Sequence, residues 1–145
     1  MLSKIIFSLT VLLFLVSHAS ARGNSPGINL LDVNINLSRD GSVTVIQRLE
    51  MINDSPLDWR IFGKVRDIKV MTDSSQLNQS DFTLDHDSKG TSLKTSVITA
   101  KNWQISYRLT SALIRHDNRD QLFVKIVDQP NLTINAFQGE FHLPN

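Results

Sequence analysis

Two clusters in this sequence combine histidine with aspartate, residue types that exchange protons and bind divalent cations. The first is Asp85-His86-Asp87, and the second is His116-Asp117 followed by Asp120. Neighbouring side chains of an extended strand point to opposite faces, so His86 is expected to face away from both of its aspartates. We therefore predict no metal site there. The second cluster lies in the charged connection Arg115–Gln121 and could bind a cation loosely, but it lacks the calcium-loop pattern.

Sequence motifs for catalysis are missing. The chain has no cysteine and no G-x-S-x-G, H-E-x-x-H or G-x-x-x-x-G-K-[ST] pattern. Thr91 stands three residues before Lys94, but hydroxyl–lysine chemistry needs one helical turn between the two groups, and these residues lie in a β-type segment. We therefore predict a non-enzymatic protein with no catalytic residue, cofactor or metal.

Charge excludes one class of partner. The chain of 145 residues has 15 Lys and Arg against 14 Asp and Glu, a formal charge of +1. Without Met1–Ala21, which contains Lys4 as its one charged residue, the balance is 14 against 14. A neutral chain is not suited to neutralising phosphates, so we predict no binding to nucleic acid.

The N-terminal segment Met1–Ala21 has the three parts of a secretory signal peptide. Lys4 gives a basic start, Ile5–Val16 an apolar helical core, and Ala19-Ser20-Ala21 an A-x-A cleavage site. The alternative is an uncleaved anchor, but the apolar run is shorter than the roughly 20 residues that span a membrane. We predict cleavage after Ala21 and a periplasmic or extracellular mature chain.

The absence of cysteine narrows the type of exported protein. Lipid attachment after the signal and disulfide bonds are both chemically impossible. Small eukaryotic secreted domains usually carry disulfides, whereas a mature chain of about 124 residues can fold without them. This combination favours a bacterial envelope protein.

Hydrophobic residues of the mature chain recur with a period of two. After a flexible lead-in at residues 22–27, Leu31–Leu37 alternates apolar and polar residues, as a half-buried strand does. Asp40-Gly41 predicts a hairpin turn, and Val43–Ile52 is its return strand. Asn53-Asp54-Ser55-Pro56 should interrupt that strand, because proline cannot donate to a sheet.

Further strands are predicted along the rest of the chain, and no helical period longer than two turns interrupts them. Leu122–Val127 is almost continuously apolar and is predicted to be a central strand buried on both faces. The other predicted strands are Asp67–Thr72, Phe82–His86, Thr91–Ile98, Trp103–Leu109 and one within Leu132–Leu143. We predict a single domain over residues 28–145, an all-β antiparallel two-sheet sandwich of about 7–9 strands.

Several segments together resemble one protein family. They are the Asp40–Val45 hairpin, the stretch WRIFGKVRDI at Trp59–Ile68, the strands ISYRLTSALIR and DQLFVKI, and the closing Leu143-Pro144. Their order is similar to the extracytoplasmic N-terminal β domain of predicted bacterial membrane proteins, domain of unknown function 2207. The resemblance covers roughly Ile28–Pro144 and implies no catalytic residue.

The sequence also departs from that family. Members typically continue into transmembrane helices, whereas this sequence ends at Asn145, and Phe123 stands where the family usually has tryptophan. The resemblance thus implies either a stand-alone exported version or a truncated gene.

The sequence is compatible with two alternative functions. The first is a module that binds a protein or envelope partner by surface complementarity or by strand addition at a sheet edge. The alternative is a soluble domain that binds a small ligand or cation through the Arg115–Gln121 loop.

Overall fold

The computed structural model describes residues 27–110, 112–115, 120–127 and 132–144. The signal segment, with Ala19 and Ala21, and the lead-in up to residue 26 lie outside the described residues. Within these ranges the regular structure is strand, apart from a short 3-10 turn at Gln79–Asp81. The all-β prediction is therefore confirmed. No helix in these ranges has the length and apolar character of a membrane span.

Eight strands are formed by the described residues, and six of them coincide with predicted strands, whereas β6 and β7 lie at either end of the predicted charged connection. The hairpin at Asp40-Gly41 is confirmed: Gly41 has φ 84°, and the Asp40 carboxylate accepts hydrogen bonds from the Ser42 amide (2.9 Å) and hydroxyl (2.7 Å). The strands are β1 (Gly27–Leu37), β2 (Val43–Phe62), β3 (Val65–Thr72), β4 (Thr83–His86), β5 (Gly90–Leu109), β6 (Leu113–Arg115), β7 (Asp120–Leu122) and β8 (Thr133–His142).

One six-stranded sheet holds most of these strands, in the order β3-β5-β2-β1-β8, with β4 also paired to β5. β6 and β7 form a separate two-stranded sheet. The prediction of a wholly antiparallel arrangement is wrong, because β8 runs parallel to β1, from Gly27 opposite Thr133 to Asn36 opposite His142. Hairpins impose antiparallel pairing on consecutive strands, but no short connection constrains the first and the last strand of a chain.

β2 and β5 have 20 residues each and are longer than the sequence predicted. β5 joins two predicted strands, and β2 continues past the predicted end of its strand at Ile52. The predicted interruption before Pro56 survives inside β2 as an irregularity: pairing with β5 passes from Glu50–Asn102 directly to Ser55–Ala100. The unpaired residues let the ribbon bend there. Buried Thr95 supports the bend, because its hydroxyl accepts from the Leu57 amide (2.8 Å) and donates to the Ile98 carbonyl (3.0 Å).

The core lies between the two halves of this bent ribbon. The odd-numbered residues of β2 are buried from Val43 to Met51 before the bend and from Leu57 to Ile61 after it. They meet the inward residues of β5 and β1 in one hydrophobic core. Trp59, Trp103 and Tyr107 are the largest of the fully buried side chains. Burial raises the pKa of Tyr107, so its phenol stays neutral in the folded protein.

The apolar run Leu122–Val127 is not the central strand that the sequence predicted. Only Leu122 belongs to a strand, and residues 123–127 have no regular structure. Phe123 is 59% exposed, whereas Leu122 is buried and Val124 and Ile126 are half-buried against the core. The run is apolar because one side of it covers the core. It is not a central strand, because β7 pairs only with β6 among the described strands.

Candidate functional site

The predicted polar loop is brought together only in part by the described structure. Asp120 begins β7, and its backbone pairs with that of Arg115. His116 and Asp117 lie outside the described residues. The described part of the chain holds no group of three or more His, Asp or Glu side chains placed to bind a metal. Cation binding at this loop therefore stays a prediction.

The Asp85-His86-Asp87 segment separates as predicted. His86 Nδ1 lies 2.8 Å from the Thr91 hydroxyl across the β4–β5 pairing. Asp87 instead pairs with Arg60, whose Nη2 donates to both carboxylate oxygens, and it also accepts from the Lys89 and Gly90 amides. The Arg60 hydrogen bond, followed by the Lys89 amide, lowers the pKa of Asp87 to about 2. These contacts hold a turn together.

Thr91 and Lys94 also separate as predicted for a strand. Thr91 is 2% exposed in the interior, whereas Lys94 is exposed and its ammonium lies 3.3 Å from the Asp58 carboxylate. The hydroxyl and the amine therefore have different surroundings, and the pair has no catalytic geometry.

The outer face of the main sheet carries a polar row that crosses five strands. In the pairing register Met71, Gln104, Arg48, Asp32 and Gln138 lie side by side, from β3 to β8. Arg48 connects the middle of the row, since Nε donates to Gln104 Oε1 and Nη1 to Asp32 Oδ2, both at 3.1 Å. Gln104 in turn donates to the Met71 sulfur at 3.5 Å.

A shallow depression of about 310 Å³ lies along this row. Its polar groups are largely engaged with one another: Asn102 donates to Asp73 (3.0 Å), and Asp32 is held by Arg48. A ligand at this place would have to displace these internal hydrogen bonds. The depression is therefore a weaker candidate site than the edge where the row ends.

That edge is β8, which in the described structure pairs with β1 and with no other strand. All of its residues except Ile134 and Phe141 are exposed, and Phe137 is 40% exposed. The strand has ten residues and contains no lysine, arginine or proline. An edge strand of this length presents free backbone N–H and C=O groups to another strand, and such residues are the usual protection against that pairing.

The opposite edge, β3, has that protection. Its register with β5 shifts between Arg66 and Lys69, and Asp67 has φ 54°, so a bulge with three charged residues interrupts the strand. Further along, the Leu77 amide donates to the Val70 carbonyl at 2.9 Å, and Met71 bridges to Gln76. Residues 75–77 therefore cover the second half of β3. Of the two ends of the β3-β5-β2-β1-β8 order, β8 is the one that no other described strand or segment covers.

The sequence analysis raised sheet-edge binding in general as a hypothesis but did not single out this edge. The signal was present in Thr133–His142, a strand-like segment with Glu140 as its one acidic residue and with no lysine, arginine or proline. What the sequence could not show is that this segment lies at the end of the sheet, since its position beside β1 depends on a parallel pairing between distant segments.

The fold and this edge together define a class: a β domain with an open parallel edge strand and no described catalytic constellation. The chain belongs to the family described as "Predicted membrane protein (DUF2207) N-terminal domain", whose model matches residues 27–145. The resemblance read from the sequence is therefore confirmed. No curated protein matches the chain significantly.

Solved structures show a weaker likeness. Yeast LTA4 hydrolase in complex with bestatin has 16% sequence identity and a TM-score of 0.43, over 66% of this chain and 18% of that enzyme. Native yeast LTA4 hydrolase has 14% identity and a TM-score of 0.40, with the same coverage. Native leukotriene A4 hydrolase from Saccharomyces cerevisiae has 17% identity and a TM-score of 0.37, over 61% of this chain and 16% of that one. This chain thus spans less than a fifth of these enzymes.

Proposed function

We propose that this protein is an exported, non-enzymatic interaction domain of the bacterial envelope, and that it binds a protein partner by adding the partner's strand to the edge of β8. The observation that carries the proposal is the contrast between the two ends of the β3-β5-β2-β1-β8 order. β8 is long, exposed and uncharged along most of its length, whereas β3 is bulged, charged and partly covered.

Export is supported by two features. Met1–Ala21 has the composition of a secretory signal, and the family is described as the N-terminal domain of predicted membrane proteins. A mature chain of balanced charge suits a partner recognised by backbone hydrogen bonds rather than by long-range electrostatic attraction.

The non-enzymatic assignment is supported by the partners of the polar side chains. Gln47 accepts from Trp59, Asp87 is held by Arg60 and two backbone amides, and Asp32 is held by Arg48. These groups stabilise the fold, and a reaction would require groups that are free to meet a substrate.

Site-specific photo-crosslinking in cells tests the proposal. A benzophenone amino acid replaces Ala136 or, separately, Gln138, both exposed on β8. In a matched control it replaces Met71, which lies in the same polar row at the protected edge. We expect adducts of one discrete mass from the β8 positions and none from the control.

Mass spectrometry of the adducts then distinguishes strand addition from other contacts. A partner strand paired to β8 should be crosslinked at one segment, and the crosslinked position should move by two residues between the Ala136 and Gln138 probes, because strand registers advance residue by residue. Absence of β8 adducts, or equal yields from Met71, would overturn the proposal.

A further inference from the structure

Strand addition at β8 needs an occupant, and the composition of β8 suggests which one. The chain must meet its partner without electrostatic repulsion, and the partner must offer a strand without bulky charges opposite Phe137 and Glu140. A second copy of the same chain meets both conditions. Its mature part is formally neutral, with 14 basic and 14 acidic residues, and its own β8 is equally exposed.

We infer that two copies of this protein pair through their β8 strands, antiparallel and around a two-fold axis at Gln138; the inference rests on the proposed edge function and names its partner. A two-fold axis perpendicular to a sheet turns a strand antiparallel to its own copy, and the contact is then self-complementary. The β3-β5-β2-β1-β8 sheet would continue directly into the sheet of the second copy.

Gln138 suits the residue on the axis. It lies on the outer face beside Asp32, and it is exposed. The amide side chain carries both donors and an acceptor, so two glutamines facing each other can hydrogen-bond reciprocally. A charged residue at this position would face its own copy and repel it.

The neighbouring pairs in this register are complementary in size and charge. Phe137 falls opposite Gly139 of the second copy, an arrangement in which an aromatic side chain covers the gap that glycine leaves. Within one chain the Phe137 ring already lies 3.5 Å from the position where a Cβ on Gly139 would stand. Ala136 falls opposite Glu140 of the second copy, a small residue beside a long one, so like charges never face each other directly.

Sedimentation velocity of the full chain over a range of concentrations tests the inference. We expect the wild-type chain to populate a dimer as its concentration rises. Gln138→Lys and Gln138→Glu should each weaken dimerisation at least about tenfold, because each puts two like charges directly opposite one another. An equimolar mixture of the two variants should restore the dimer, since the charges are then opposite.

One control and one further test variant keep the experiment decisive. Met71→Lys puts the same charge into the same polar row at the protected edge and should leave dimerisation unchanged. Ala136→Glu faces Leu30 rather than Asp32, and it would place a carboxylate opposite Glu140 of the second copy. Ala136→Glu should therefore also weaken dimerisation. It takes the place of Gln138→Glu in the test if circular dichroism shows that Gln138→Glu is unfolded.

The outcomes separate this inference from the proposed function. A wild-type chain that stays monomeric at every concentration, or a dimer insensitive to both Gln138→Lys and Ala136→Glu, overturns self-pairing. If that monomer still gives β8 crosslinks to a different protein with the two-residue advance, strand addition holds and only the occupant is wrong. A chain that stays monomeric and gives no β8 crosslinks overturns both self-pairing and strand addition.

Discussion

The indole Nε1 of Trp59 donates a hydrogen bond to Oε1 of Gln47 at 2.8 Å, although both residues belong to the same strand and stand twelve positions apart. Twelve extended residues would span about 40 Å, so β2 must turn back on itself between them. Gln47 is fully buried and Trp59 is 2% exposed. Gln47 Nε2 also reaches the Ile126 carbonyl at 3.5 Å, which links the bent ribbon to the irregular run that covers it.

We predict that this buried hydrogen bond couples the two halves of β2. Trp59→Phe leaves the Gln47 oxygen without its donor and should lower the free energy of unfolding by about 1–3 kcal/mol. Gln47→Leu should lower it by a similar amount. The double variant should lose less than the sum of the two, because each single change already breaks the same bond. Urea unfolding of the four proteins measures the coupling, and strictly additive losses would contradict it.

Gly90 is required by close backbone packing rather than by turn chemistry. A Cβ at this position would overlap the Ile61 carbonyl oxygen, at the place where Gly90 pairs with Phe62. Gly90→Ala should therefore destabilise the protein by about 1–3 kcal/mol, the usual cost of an overpacked site. Gly139→Ala is the matched control, because its Cβ would meet Phe137 and the Val33 carbonyl at ordinary contact distances of 3.5 and 3.6 Å. Thermal unfolding should show a clearly lower Tm for the first variant alone.

Asp87 should make stability depend on pH at the acidic end. Its folded pKa of about 2 lies below the ordinary value of 3.8, so its carboxylate stabilises the folded state above roughly pH 4. This contribution should decline as pH falls from 4 towards 2, where the group protonates in both states. Asp87→Asn should be less stable than wild type at neutral pH, and the difference should shrink over that interval in urea unfolding series. A difference that stays constant down to pH 2 would contradict the assignment to Arg60 and the turn amides.

Cation binding at the His116, Asp117 and Asp120 loop has its own test. Because the proposed interaction domain needs no metal, we expect the Tm to stay unchanged when Ca²⁺, Mg²⁺ or Zn²⁺ is added. A ligand at a hundred times its Kd would stabilise the fold by about 2.7 kcal/mol, which such a titration detects readily. A rise in Tm that Asp117→Asn abolishes would instead favour the small-ligand alternative.

Processing of the N-terminal segment is the remaining prediction. Signal peptidase requires small residues at the two alanine positions of Ala19-Ser20-Ala21, so the exported chain should begin at Arg22. Ala21→Tyr should leave the segment attached, whereas Ser20→Thr, at the position between them, should be processed normally. Intact mass of the protein recovered from the periplasm and from membranes distinguishes the two products. A wild-type chain that retains Met1 would favour the anchor.

Local patterns in the sequence were enough to predict the strands that are connected by short turns. Alternation from Leu31 to Leu37, the Asp40-Gly41 turn and the return strand predicted the β1–β2 hairpin, because register and turn chemistry act over neighbouring residues. The same period of two predicted that His86 and Asp87 have different partners: His86 contacts Thr91, and Asp87 pairs with Arg60. The family could also be recognised from the sequence, because the resemblance depends on the order of short segments along the chain.

The sequence alone therefore determined the all-β class, most strand positions, the family, and the absence of thiol chemistry. Tertiary structure decided the rest: the parallel β1–β8 pairing, the fold-back of β2 that joins Trp59 to Gln47, and the covering role of the Leu122–Val127 run. It also decided which strand is left open at the edge of the sheet. These features depend on contacts between residues far apart in the chain, whose formation depends on whether burial offsets the entropic cost of closing a long loop. A period of two shows which residues of a strand are buried, but it carries no information about which strand lies beside which.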